Sequence, residues 1–376
     1  MKKKFFFLIN HLSFFSSHRI NLANELSKKF DVTVICGLPA SDRMEKYGVS
    51  LLKKNKIKFK RFKIHPHKVK IYDFLEILKI YFFIKKNSPE AIHSISPRFN
   101  LIAIIISVFY RTKYFFSISG LGYIFTKKNF LNIIIQKVFL NLFRLGNFYN
   151  EFKLIVHNSH DYKIFKKLLN LKNTNILLTN GSGVELNKFT YKKPNSKKII
   201  LFCSRVLYEK GIMEFLKASS LLKKKYKKWK FVVLGSIDYK SPGIISPNSI
   251  KQYVKIVKFI GHKNNIKKYI KDSSIVCLPS YREGMPKVLL EASAVGRPIV
   301  TTNIPGCRDI VINNYNGYLV PSKNIILLAK KLEFLIKSRN KREIFGIRAR
   351  KLAESKFSQE IINKKILKFY STIKQK

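Results

Sequence analysis

Short apolar runs and amphipathic stretches alternate along most of the chain. Residues 4–9 read as a strand, 17–29 place Ile20, Leu22, Ala23 and Leu26 at helical spacing, and 32–36 read as a second strand. Residues 57–62 alternate apolar and basic side chains, and 72–84 form a strongly apolar helix. The pattern continues through 91–94, 101–110 and 114–118 and closes at 154–157. Strands alternating with helices in this way are the mark of a doubly wound, parallel α/β sheet.

A polar, lysine-rich stretch at 187–198, with Pro194 inside it, breaks the rhythm. A second series follows, with strand-like runs at 198–204, 231–234, 257–260, 275–278 and 298–301 and a helix near 213–225. The expected organisation is a Rossmann-like domain over 1–187, a second over 198–357, and an amphipathic helix at 358–376 that packs back toward the N-terminal domain. Two Rossmann-like halves facing a cleft is the simplest such architecture, and ligands of these sheets bind outside the carboxyl ends of the strands. The length of 376 residues, about twice a typical domain, agrees.

Composition narrows the partners. With 74 Lys and Arg against 21 Asp and Glu, the formal charge is +53, which asks for nucleic acid, nucleotide phosphates or an acidic membrane face. Sixty of those basic residues are lysine, spread along the chain beside many Ile, Asn and Phe, as an AT-rich coding sequence would give. Spread charge argues for nucleic acid less well than one clustered stripe. The four cysteines lie far apart, which speaks against a zinc site or disulfide framework and fits a reducing cytoplasm. The first lysines and the apolar run after them imitate a signal peptide, but Asn10 and His11 interrupt it. The apolar run at 100–110 is well short of the ~18–20 residues a spanning helix needs.

The stretch with the most chemistry runs from Leu278 to Ala292. An apolar run ends there in a loop marked by Pro279, Gly284 and Pro286, and a helix follows, with Pro286 suited to its first turn. Val288, Leu289, Ala292 and Val295 are its inward positions. The open N–H groups of such a helix start favour an anion such as phosphate. Glu283 in the loop and Glu291 in the helix are two carboxylates in a chain that has few. The residues alone give a phosphate-binding loop and helix with two candidate hydrogen-bonding carboxylates. They also allow Glu283 to cap the helix and Glu291 to be solvated or salt-bridged, the reading that the spacing of the two glutamates favours when taken alone. Farther back, Arg205 follows a strand and Lys210 precedes Gly211 and a helix, offering a planar fork and a mobile point charge to phosphate oxygens.

Glu283 and Glu291 with seven residues between them, Gly284 after the first, and Arg205 four residues before Glu209-Lys210-Gly211 resemble the group 1 family of retaining GT-B glycosyltransferases. Phe259-Ile-Gly-His262, the run from Thr301 to Asp309, and Asn316 to Pro321 resemble a bacterial subset of that family. That subset builds surface polysaccharides and lipid-linked oligosaccharides, and includes N-acetylgalactosaminyl- and galactosyltransferases acting on polyprenyl-diphosphate sugars. The resemblance implies transfer of a sugar, such as an N-acetylhexosamine, from a UDP-sugar to a polyprenyl-diphosphate-linked saccharide. Arg205 and Lys210 would hold the donor diphosphate, Glu283 the hydroxyls of the sugar and Glu291 those of the ribose. Gly284, Met285, Pro286, Lys287 and Val288 complete the implied donor site. On the acceptor and sugar side the resemblance places His18 and Arg19, and Ser119, Gly120 and Gly122, with Ser119 standing where a histidine is common. Serine cannot replace imidazole as a base near neutral pH. No Asp-X-Asp occurs in the chain, so no obligatory metal or other cofactor is expected.

Two further features bear on where the acceptor lies. Residues 53–63 place seven Lys or Arg among Ile57, Phe59 and Phe62, and 130–145 can form a helix that is polar on one side and apolar elsewhere. The helix either lies in a membrane interface or packs a wide apolar stripe on the sheet. The basic run is either drawn to anionic lipid or simply solvated. Together they favour an anionic membrane surface, with the protein cytoplasmic and peripheral on the inner face of the cell membrane. A UDP-sugar epimerase would share the two-Rossmann architecture. A basic nucleic-acid-binding protein would share the charge, but no nucleic-acid-reading module is recognisable and no nucleic acid is expected as partner.

Overall fold

The structure, a computed structural model, describes residues 2–39, 42–65, 72–118, 130–194, 197–237, 243–263 and 265–371. The chain divides into two compact units, one of 1–182 with 363–376 and one of 183–362.

The first unit is built on β1 (Lys4–Ile9), α1 (Leu12–His18), α2 (Ile20–Ser27), β2 (Asp31–Cys36), α3 (Asp42–Lys54), β3 (Lys58–Arg61) and α4 (Asp73–Asn87). It continues with β4 (Ala91–Ser94), α5 (Pro97–Phe109), β5 (Lys113–Ile118), α6 (Phe130–Tyr149), β6 (Phe152–Val156), α7 (Ser159–Leu168) and β7 (Ile176–Leu178). The strands form one parallel sheet in the order β3-β2-β1-β4-β5-β6-β7. Successive side chains of a strand point to opposite faces. Phe6, Leu8, Ile92, Tyr114 and Phe116 accordingly face a core completed by α4 to α7, through Ile80, Ile84, Phe99, Ile102, Phe143 and Phe165. Phe5 and Phe7 face the other way, against Phe15 of α1, Phe30 and Tyr370.

One expectation fails here. The helical pattern over 17–29 is two helices, not one. The first begins at Leu12 because Glu45 of α3 accepts the backbone N–H groups of Leu12 (3.3 Å) and Ser13 (3.1 Å), a carboxylate on the open amides of a helix start. It ends at Arg19, whose φ of −132° and ψ of −4° interrupt the helical path. Ser17 and His18 therefore close the first helix rather than open it.

The second unit comprises β8 (Ile199–Cys203), α8 (Ile212–Lys225), β9 (Lys230–Leu234), α9 (Pro247–Lys251), β10 (Val257–Gly261), α10 (Ile266–Asp272) and β11 (Ile275–Leu278). Then come α11 (Lys287–Val295), β12 (Ile299–Thr302), α12 (Cys307–Ile310), β13 (Gly317–Val320), α13 (Ile325–Lys337) and α14 (Arg339–Leu352). A last helix, α15 (Gln359–Ser371), contributes its residues from 363 onward to the first unit. The sheet is parallel throughout, in the order β10-β9-β8-β11-β12-β13. The chain runs outward from β8 to β10 and then returns to β11 on the other side of β8. The strand order therefore reverses between β8 and β11, and a crevice at such a reversal is where open α/β sheets take their ligands.

Candidate active site

The segments leaving β8 and β11 meet at that reversal. After β8 the chain passes Ser204 and Arg205 and makes a tight turn over Tyr208–Lys210, and Gly211 at φ +71° starts α8. A Cβ on Gly211 would lie 2.0 Å from the Pro279 carbonyl oxygen, so only glycine lets this turn close on the end of β11. The backbone N–H of Tyr281 donates to the Glu209 carbonyl at 2.9 Å. The Tyr281 hydroxyl donates to Glu214 of α8 at 2.6 Å, and burial together with that carboxylate pushes the phenol well above its usual range.

Glu283 is the centre of this arrangement. Its Oε1 accepts from Lys210 Nζ and from Ser280 Oγ, each at 2.8 Å, and both members of the ion pair are mostly buried. Behind the loop, Thr302 Oγ1 donates to the Ser280 carbonyl and Thr301 Oγ1 to that of Leu278 (2.6 Å). Gly306, at φ +79°, lies so close to the Gly284 carbonyl that a Cβ would stand 2.3 Å from its oxygen. Arg205 is exposed beside this turn, while Gly284, Met285, Lys287 and Val288 are half-buried. Pro286 does not stand in the first helical turn as expected. It holds the extended position before it, with ψ 113°, and helical geometry begins at Lys287.

Glu291 has a different setting one helix turn beyond Lys287. It is buried, 4% exposed, and its carboxyl has no hydrogen-bond partner among the described residues. Burial lifts its carboxyl to about 7, against the opposing pull of Lys287 and Lys188 and with the push of Glu185. Burial, with Glu291 nearby, also pushes the Cys203 thiol at the end of β8 up to about 12. The sequence reading identified both glutamates, Arg205 and Lys210. It gave no role to Ser280, Tyr281, Glu214 and Thr302, which hold the loop, although Ser280, Tyr281 and Thr302 lie inside stretches it singled out.

In the first unit, the His18 ring stacks on Phe14 at 4.2 Å, and its Nδ1 lies 2.6 Å from Ser17 Oγ. Arg19 is buried, and its Nη2 donates to His157 Nε2 at 2.9 Å. Burial pushes the guanidinium down to about 10 and holds His157 well below the usual imidazole range, with the Arg19 charge adding to the latter. Nearby, the Tyr370 hydroxyl lies 2.6 Å from His93 Nδ1, and His93 Nε2 lies 2.8 Å from Ser117 Oγ. Ser119, Gly120 and Gly122 lie outside the described residues.

Residues 184–352 match the family described as glycosyl transferases group 1, and residues 4–180 the one described as glycosyl transferase 4-like. The chain is similar to the N,N'-diacetylbacillosaminyl-diphospho-undecaprenol alpha-1,3-N-acetylgalactosaminyltransferase of Campylobacter jejuni. The two are 26% identical over 362 residues, 92% of each chain. It is similar also to the capsular polysaccharide biosynthesis glycosyltransferase CapM of Staphylococcus aureus, 26% identical over 315 residues, 80% of this chain and 81% of CapM. Among solved structures, HepE of Anabaena in complex with UDP and glucose matches with a TM-score of 0.79 at 16% identity, over 99% of this chain and 100% of HepE. The two parallel-sheet units are thus the GT-B fold.

Proposed function

The chain belongs to the group 1 glycosyltransferases, and from that premise we propose that it moves a sugar from a UDP-sugar to a saccharide carried on polyprenyl diphosphate. The reaction retains the anomeric configuration and serves the synthesis of a bacterial surface polysaccharide or glycan. The sugar is an N-acetylhexosamine or a related hexose. The undecaprenol-linked acceptor of the Campylobacter relative supports the acceptor class, the capsular role of CapM supports the pathway, and UDP in HepE supports the donor.

One observation carries the reading. The strand order reverses where Lys210 meets Glu283, which places a cation and a carboxylate side by side at the ligand end of the sheet. Arg205 and Lys210 bind the donor diphosphate, and their charge stabilises the negative charge that builds on it as it leaves. A diphosphate that draws Lys210 to itself frees Glu283 Oε1 to accept hydrogen bonds from the sugar hydroxyls. Glu291 accepts from the ribose hydroxyls, and the amides at the start of α11 face the phosphates. A donor phosphate oxygen takes the acceptor proton on the face the leaving group vacates, so no enzyme nucleophile is used. The glutamates are therefore positioning and binding groups, not the acid and base of a glycosidase. On this reading His18, Arg19, Ser119, Gly120 and Gly122 belong to the acceptor side, no metal is obligatory, and the enzyme works at an anionic membrane face on the cytoplasmic side. Among the described residues no helix is long and apolar enough to cross a membrane.

The test is binding and turnover across UDP-, GDP- and ADP-sugars for the native protein, Glu283→Gln and Arg205→Ala, with and without chelator. The expected result is selective binding of one UDP-sugar, lost in Arg205→Ala, with turnover lost in Glu283→Gln and unaffected by chelator. Absence of binding to every nucleotide sugar refutes the reading. Conversion of a UDP-sugar to its epimer with no acceptor present makes the protein an epimerase instead.

A further inference from the structure

The outer surface of the first unit has an unusual composition. Helices that cover a sheet normally turn an apolar stripe inward and polar residues outward. Helix α4 does the first with Ile80 and Ile84, but its solvent side carries Phe74 (65% exposed), Leu75, Leu78 and Phe82 (61%). Phe74, Leu78 and Phe82 recur every four residues, so they form one ridge along the helix. The ridge continues onto α5 through Tyr81 of α4, which lies 5.3 Å from Phe82 and 6.4 Å from Phe109 of α5, itself 71% exposed. Helix α6 adjoins α5: Gly146 is packed on Ser107, and Asn150 Nδ2 donates to the Ser107 carbonyl at 2.6 Å. It buries Phe143 on the sheet and exposes Val138, Leu145 and Phe148 (84%). The helix over 130–145 thus packs on the sheet with one side and shows apolar side chains on the other.

Charge around this surface is mostly positive, with Asp31 paired to Lys58 and Glu151 exposed just past the end of α6. Exposed cations border it at Lys79, Lys85, Lys86, Arg111, Lys137 and Arg144. Alternation along β3 points Lys58, Lys60 and Phe62 to the same side of the sheet as α4, because Phe62 packs on Phe83. The carboxylates of α4 are not available to offset them. Asp73 is buried and paired with Arg98, and Glu76 is buried, bonded to Lys79 and to the Lys63 backbone N–H. Helices α5 and α6 contain no Asp or Glu. Exposed aromatic residues in contact with one another mark an interaction site, and a rim in which exposed cations outnumber carboxylates favours an anionic occupant. A second copy of this basic chain would set cations against cations here.

We propose that the outer face of α4, α5 and α6 is the surface by which the protein lies on an anionic lipid bilayer. Phe74, Phe82, Phe109 and Phe148 enter the boundary between headgroups and acyl chains, and the surrounding lysines and arginines meet the headgroup phosphates. The face deepens the proposal of a membrane-borne acceptor, since it names the part of the chain that keeps the enzyme beside it. Aromatic insertion and lysine attraction are separable, which makes the face testable by itself.

The experiment is co-sedimentation of the full-length protein with vesicles of equal parts phosphatidylglycerol and phosphatidylethanolamine, and with phosphatidylcholine vesicles, at low and raised salt. The protein is expected to partition onto the anionic vesicles. The triple variant Phe74→Ser/Phe82→Ser/Phe109→Ser should partition at least about tenfold less, since each lost aromatic removes buried apolar area. UDP binding and the unfolding midpoint should be unchanged, since the three rings are exposed. Lys85→Glu/Lys86→Glu provides a second variant if the triple one is not folded, and should weaken binding at low salt. Wild-type partitioning by the folded variants overturns the proposal. So does a native protein that ignores anionic vesicles, or a dimer in solution that the triple variant abolishes. Loss of vesicle binding with donor binding intact bears on this face only. Absence of donor binding bears on the catalytic reading instead.

Discussion

Replacing Glu291 by glutamine keeps the shape of the side chain and removes its ionisation, and so isolates one buried carboxyl. In the folded protein burial raises that carboxyl from 4.5 to about 7. At about 1.4 kcal/mol per unit, the ionised form costs the fold about 3 kcal/mol. The sign follows from proton binding: between pH 4.5 and 7 the folded state holds the proton that the unfolded chain has released. Stability therefore falls as pH rises through that window and stays at its lower level above it. Glutamine does not titrate, so Glu291→Gln and the native protein should differ little at pH 4.5 and diverge as pH rises. By about pH 8 the variant should be the more stable by up to about 3 kcal/mol. Urea unfolding followed by Trp229 measures this, because Trp229 is the single tryptophan and is buried in the second unit beside Arg342. UDP adds a second readout. If the ribose hydroxyls bond to the carboxylate, UDP should bind the native protein more tightly at pH 8 than at pH 6, and the variant should lose that dependence. A stability difference that is flat in pH, or that favours the native protein as pH rises, refutes the reasoning.

Tyr281→Phe removes the donor to Glu214, whose other carboxyl oxygen is already buried without a partner. The expected loss is about 1–3 kcal/mol in the unfolding of the second unit, with weaker donor binding as the loop loosens. An unchanged midpoint would show that the strut is idle. Gly211→Ala puts a methyl group against the Pro279 carbonyl at a left-handed φ. The turn must then move away from β11 and take Lys210 with it. Turnover should drop on the order of 100-fold, the effect of a misplacement of about 1 Å. Steady-state kinetics checks this, and near-native turnover would contradict the close approach.

Local pattern was enough wherever a single strand or helix decides its own fate. Residues 275–278 are a dense apolar run buried in the middle of a parallel sheet, and the strand falls on those residues. The break at Arg19 was invisible because the helical spacing of apolar residues persists straight through it. The partner of Arg19 lies far off in the chain, in His157, whose ring receives its guanidinium. Strand β7 escaped notice because three residues at a sheet edge are too few to display a period.

The site divides along the same line. Glu283 and Glu291 stand eight residues apart in one motif, and nothing in the spacing distinguishes them. Lys210 reaches Glu283 only because β8 and β11 are neighbours, a pairing of strands more than seventy residues apart. Glu291 has no such partner, and its helix buries it between residues that are apolar or small: Leu290, Ala292 and Ser293 are all buried with it. One carboxylate is therefore paired with a cation, and burial lifts the other to about 7. The two can answer a ligand differently, Glu283 by exchanging Lys210 for new donors and Glu291 by losing a proton. Strand order and burial, not the motif, create that difference, so a sequence can identify both glutamates and still leave their states undetermined.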